Sequence, residues 1–199
     1  MAKPRKTAAK NARIEIPARA KFVLQLKITL KDVKPVVWRR VLVSTSKTLE
    51  DLHGIIQAVM GWEHSHLHCF KIGHNDYGDL SMSADGELGF EDERRVKLSL
   101  LAVAKLKFRY EYDFGDSWRH DIVVEQILPD GGPEFSPACI AGANACPPED
   151  CGGASGYANL CAILKNPRHK EYEAMAEWAP AGFDPTAFDL AAANRAVRR

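Results

Sequence analysis

No apolar run in the 199 residues approaches the roughly 20 that a membrane-crossing helix needs, so no membrane partner is expected. The N-terminus has no signal-peptide apolar segment, which points to a cytoplasmic protein. No Gly-rich nucleotide loop and no HRD segment accompany the letters DFG at Asp113–Gly115, and that removes a kinase reading. The acidic stretch between residues 74 and 95 lacks the ligand spacing of an EF-hand and reads as a solvated loop, with a hairpin signal at Asp85-Gly86. The cysteines at 139, 146 and 151 follow a C-x6-C-x4-C spacing whose first gap is too wide for a zinc knuckle. Five cysteines are an odd number, so they read as thiols or metal ligands rather than a disulfide framework. There is no internal repeat.

What is present suits one substantial soluble domain: 46% hydrophobic and 27% charged residues around a net charge of +1. That small net charge conceals an asymmetry. Residues 1–19 hold six basic side chains against Glu15 alone, while the rest carries 21 basic and 25 acidic ones. The first 19 residues therefore read as a disordered basic leader capable of weak, non-specific nucleic-acid contact. Residues 20–199 form the domain, whose acidic balance argues against a broad nucleic-acid surface.

The densest stretch is FRYEYDFGDSWRHDIVVE, from Phe108 to Glu125. Phe108, Tyr110, Tyr112 and Phe114 alternate with charged residues, and Trp118, His120, Ile122 and Val124 alternate with Arg119, Asp121, Val123 and Glu125, so two strands joined by a turn are expected. A two-residue loop at Gly115-Asp116 would set Trp118 against Asp113. A three-residue loop, Gly115–Ser117, would set Trp118 against Phe114 and His120 against Tyr112. The odd loop gathers the apolar side chains on one face and is preferred. His120 then reads either as a buried, hydrogen-bonded histidine or as a ligand or proton carrier at a cleft. Asp113 and Asp116 read as turn formers or as acids.

Before this hairpin, Phe22–Leu30 and Val36–Val43 read as paired strands. Thr48 with Asp51 forms a capping box for a helix that Gly61 ends. His53 lies at the edge of that helix's apolar stripe and reads as a packing residue. His64, His66 and His68 are spaced by two, a possible transition-metal patch on a strand beginning near His66, which would leave His64 in the turn. Val96–Val103 reads as a short strand or helical turn.

After Pro129, prolines and glycines make a long irregular crossing that carries Cys139, Cys146 and Cys151. With His120 these could hold zinc. The C-terminal part is helical: a stripe at Tyr157–Leu164, another at Tyr172–Trp178, and a helix opening at Asp184-Pro185. The expected fold is α+β, a mostly antiparallel sheet with helices packed on one face, in a single domain.

Several segments stand in one order: WRR at Trp38–Arg40, LEDLHGIIQAVMGW from Leu49, HLHCF from His66, YEYDFGDSWRH from Tyr110, CPPEDCGG from Cys146, GYANL from Gly156, the HKEYEAMAEW run and FDPTAFDLAAAN. Together they resemble the plasmid pRiA open-reading-frame-three-like family, also labelled the insertion-element passenger TnpR family, over roughly residues 20–195. The resemblance implies an α+β fold and association with plasmids and mobile elements, with no settled activity. A serine resolvase needs an activated serine near its N-terminus, and this leader has none; the Arg-His-Arg-Tyr set of a tyrosine recombinase is absent too.

Two functions follow. One is a non-catalytic accessory module in which Tyr110, Tyr112, Trp118, His66 and His68, with the CPPEDCGG loop, grip a protein, peptide or nucleic-acid partner. The other is a zinc-dependent, hydrolase-like enzyme with Cys139, Cys146, Cys151 and His120 as ligands. Its acid/base candidates are Asp113, Asp116, His120, Glu149 and Asp150.

Overall fold

A computed structural model describes residues 21–82, 89–129, 132 and 135–198. The basic leader and the Asp85-Gly86 turn lie outside them. The chain runs β1 (Phe22–Leu30), β2 (Trp38–Ser44), α1 (Leu49–Met60), β3 (His68–Ile72), β4 (Asn75–Gly78), β5 (Glu91–Asp92), β6 (Lys107–Tyr112), β7 (Trp118–Pro129), β8 (Ala138–Ala143), α2 (Gly153–Leu164), α3 (Tyr172–Trp178) and α4 (Leu190–Val197). The strands form one eight-stranded sheet in the order β5-β4-β3-β6-β7-β1-β2-β8. Every pairing is antiparallel except β4 with β5.

The sheet is one-sided because its strands alternate. Leu24, Leu26 and Ile28 of β1, Val41 and Val43 of β2, and Trp118, His120, Ile122 and Val124 of β7 point into the core under the helices. The opposite face carries Arg40 paired with Glu125 at 2.6 Å and Lys71 paired with Glu111 at 3.2 Å. The α+β architecture with helices on one face is as expected. No helix among the described residues is long and apolar enough to cross a membrane.

The capping box is present: Thr48 Oγ1 accepts the Asp51 N–H, and the Asp51 side chain accepts the Thr48 N–H. Gly61 closes α1 at φ 84°, a left-handed position that costs glycine little.

Four local expectations need correction. The central hairpin is joined by Asp113–Ser117, so Trp118 pairs with Tyr112 and His120 with Tyr110. The loop is odd, as preferred, but two residues longer, because Asp113 folds back to accept the Gly115 and Asp116 N–H groups. The crossing after Pro129 contains a strand, β8, which pairs with β2. The last helix starts at Leu190 with Asp189 as its N-cap, since the Asp184 side chain is spent on a local turn with Thr186. Lastly β3 begins at His68, which leaves both His64 and His66 in the connection from α1.

Candidate functional site

The connection from α1 to β3 carries the polar site. His64 takes a left-handed conformation at φ 61°, and its N–H donates to Gln57 Oε1 at 3.1 Å. That contact turns Gln57 Nε2 toward the Tyr110 hydroxyl, 3.0 Å away. Tyr110 also meets His53 Nδ1 at 2.7 Å, and His53 Nε2 lies 3.2 Å from His64 Nδ1. Every proton finds an acceptor if Tyr110 donates to His53 Nδ1 and His53 Nε2–H donates to His64.

The His53 ring stacks on His68, with centroids 3.5 Å apart and planes within 7°. Burial, reinforced by His68 and His64, pushes His53 down to about 2, so the imidazole is neutral. His64 is lowered chiefly by burial too. His68 Nε2 meets Glu93 Oε2 at 2.8 Å. A cavity of about 350 Å³ opens among His53, His64, His66, His68, Asp79 and Glu93.

The CPPEDCGG loop roofs the neighbouring end of the hairpin. Trp62 Nε1 donates to the Pro147 carbonyl at 3.0 Å, the Tyr112 hydroxyl donates to Glu149 Oε1, and the Gly152 N–H donates to Asp116 Oδ2 at 3.2 Å. Gly153 has φ +66°, and a Cβ there would lie 2.7 Å from the Asp116 carbonyl oxygen, so only glycine allows this approach.

The loop thereby delivers Asp150 to His66. His66 Nε2 lies 3.3 Å from Asp150 Oδ1 and 3.7 Å from Asp113 Oδ2. It is buried and makes a hydrogen bond to neither. Among the described residues these three form the one group of His, Cys, Asp or Glu side chains whose ligand atoms all lie within 4.8 Å of one another.

The structure redistributes the expected site residues. Tyr110, Tyr112 and Trp118 are at most 1% exposed, so they are core rather than a gripping surface; only the tyrosine hydroxyls reach the polar cleft. His120 is fully buried, 5.3 Å from Tyr110 and 5.4 Å from Trp62 between ring centroids. Burial pushes it down to about 4, and neither ring nitrogen has a partner of hydrogen-bonding geometry. It stands in the core rather than at the mouth of a cleft, and among the described residues no group of metal-competent side chains includes it.

Cys139, Cys146, Cys151 and His120 do not converge. Cys139 lies in β8 with its thiol on the Ala141 carbonyl, and burial raises Cys146 and pushes Cys151 up to about 12. Asp116 ties hairpin to loop. Asp113 both forms the turn and faces His66, while Glu149 holds Tyr112.

His53 and Glu93 were not expected in the cleft. The signal for His53 was its position one turn before Gln57 on α1. Glu93, 2% exposed, had none: it sits in an acidic stretch that reads as solvated.

A family model for the plasmid pRiA4b ORF-3-like protein matches residues 22–192. The uncharacterized protein y4hQ of Sinorhizobium fredii (strain NBRC 101917 / NGR234) is 37% identical over 179 residues, 88% of this chain and 90% of that protein. The crystal structure of a protein of unknown function, MM3350 from Methanosarcina mazei Go1, superposes with a TM-score of 0.76 at 37% identity, covering 86% of this chain and 97% of the other. With one match spanning nearly the whole sheet-and-helix domain and a relative aligned along most of its length, the chain belongs to the plasmid pRiA4b ORF-3-like family.

Proposed function

We propose that the protein is a cytoplasmic accessory protein of plasmids and mobile elements that holds one divalent transition-metal ion, zinc in the first instance, between His66, Asp113 and Asp150. The aim of His66 carries this reading: a buried ring nitrogen points between two carboxylates and hydrogen-bonds neither. A tetrahedral ion with ligands at about 2.1 Å places neighbouring ligand atoms roughly 3.4 Å apart. The observed 3.3 and 3.7 Å need little adjustment. One imidazole and two carboxylates suit zinc or manganese better than a thiolate-seeking ion.

Three protein ligands leave a position for water, whose pKa a bound zinc lowers. The reaction class would then be hydrolysis, with Glu149, next to Asp150 in sequence and bonded to Tyr112, as the candidate proton acceptor. A non-catalytic module is the second reading, in which a donor from a protein or peptide partner fills the open position. The 74% exposure of the Asp150 side chain favours it.

Elemental analysis of protein purified without an affinity tag tests the site: about one equivalent of metal is expected, and under roughly a tenth removes it. Loaded and chelated protein are then assayed on p-nitrophenyl acetate and p-nitrophenyl phosphate. Hydrolysis that follows the metal supports the enzyme; loaded but inert protein supports the module.

A further inference from the structure

Arg39 is a buried cation to which the fold gives no opposite charge. It lies on the inward face of β2 and is 2% exposed. Its Nε–H donates to the Val59 carbonyl in the last turn of α1 at 2.8 Å, and Nη1 donates to the Trp38 and Ala143 carbonyls at 2.9 and 3.0 Å. The Phe188 ring stands 4.1 Å from the guanidinium carbon. A guanidinium has five N–H donors, and these contacts use three. Among the described residues Nη2 donates to nothing and no carboxylate comes within ion-pair reach. Nη2 is not one of the sealed partnerless atoms of the core, so its donors are open to an incoming group, and a mostly buried charge with unused donors gains from an anion that completes them.

Beside it opens a cavity of about 410 Å³, within the size range of small-molecule sites. It shares no lining residue with the histidine cleft. Its walls are apolar, with Val59, Met60, Phe183, Phe188 and Ala193 prominent; the Cys146 thiol is held protonated by burial. Asp189 lines it too but is committed to its own helix, accepting the Ala192 N–H at 2.9 Å and lying 3.8 Å from Arg195.

We propose that this cavity binds a small carboxylic acid with an apolar body, the carboxylate accepting the free Nη2 donors of Arg39 and the body lying against Phe183 and Phe188. A phosphate would bring more charge and more oxygens than one terminal nitrogen can satisfy. A neutral apolar molecule would leave the cation uncompleted.

The test is an NMR titration of the full chain with benzoate, with benzamide as its neutral counterpart. Benzoate is expected to move the Arg39 Nε–H signal and the Cys146, Phe188 and Ala193 amides, and to bind at least about tenfold more tightly than benzamide. Because Arg39 also caps α1, its own replacement risks the fold. Ala192→Leu instead fills the cavity from α4 and leaves Arg39 in place; it should abolish the shifts while the rest of the spectrum is unchanged. Equal binding of the two probes, unmoved signals in folded wild-type protein, or full benzoate binding by Ala192→Leu would each overturn the proposal.

Discussion

Tyr112 on β6 stands directly across from Trp118 on β7, and that pairing decides which side chains line the core and which reach the cleft. It sends Trp118 and His120 inward beside Tyr110 and leaves the two tyrosine hydroxyls at the polar edge, on Gln57 and Glu149.

Trp118 is therefore a packing residue. Trp118→Ala should cost about 3–5 kcal/mol, lowering the melting temperature on the order of 10 °C for a chain this size. Circular dichroism reads this directly; an unchanged melt would mean the side chain is not packed as described.

Asp150→Asn and His66→Ala should each leave the protein folded but strip it of zinc after dialysis. Asp116→Ala removes the acceptor of the Gly152 N–H and loosens the loop that presents Asp150, so zinc affinity should fall about 10- to 100-fold. Competition against a chromophoric chelator measures both effects. Wild-type affinity in Asp150→Asn would exclude Asp150 as a ligand.

His120 gives the fold an acid-sensitive component. Burial lowers its pKa from 6.5 to about 4, so between those values the unfolded chain binds a proton that the folded chain refuses. The stabilisation is complete above pH 6.5 and fades as the pH falls toward 4, amounting to about 3 kcal/mol. His120→Gln should flatten the pH dependence of urea unfolding across this window. Parallel curves for the two proteins would contradict it.

Asn194 on α4 covers an otherwise open sheet edge. Its Oδ1 accepts the Cys139 N–H at 3.0 Å and its Nδ2 donates to the Cys139 carbonyl at 2.7 Å, in place of a ninth strand. Asn194→Ala should cost about 1–2 kcal/mol and favour self-association through β8. Denaturant midpoints and light scattering monitor the two consequences, and a variant as stable and monodisperse as wild type would deny Asn194 this role.

The local elements were readable because each depends on nearest neighbours along the chain. Alternation marked β1, β6 and β7, and Thr48, Asp51 and Gly61 marked both ends of α1. Side-chain period alone fixed the parity of the hairpin, since a shift of one residue would have turned Trp118 to solvent. The motif order from Trp38 to Asn194 was enough to assign the family.

Loop length and long-range meeting points were not readable in this way. Asp113 extends the hairpin connection by accepting the Gly115 and Asp116 N–H groups, a choice a longer or shorter turn could equally have satisfied. His53 and Glu93 read as a helix-edge residue and a solvated acid until packing brought His68 of β3 against both. Likewise Asp150 reaches His66 only because Gly153 lets the loop close onto Asp116. Periodicity is a property of the chain, whereas convergence of residues dozens apart belongs to the packed sheet; that is why the chain alone revealed the scaffold and three-dimensional packing selected the cleft.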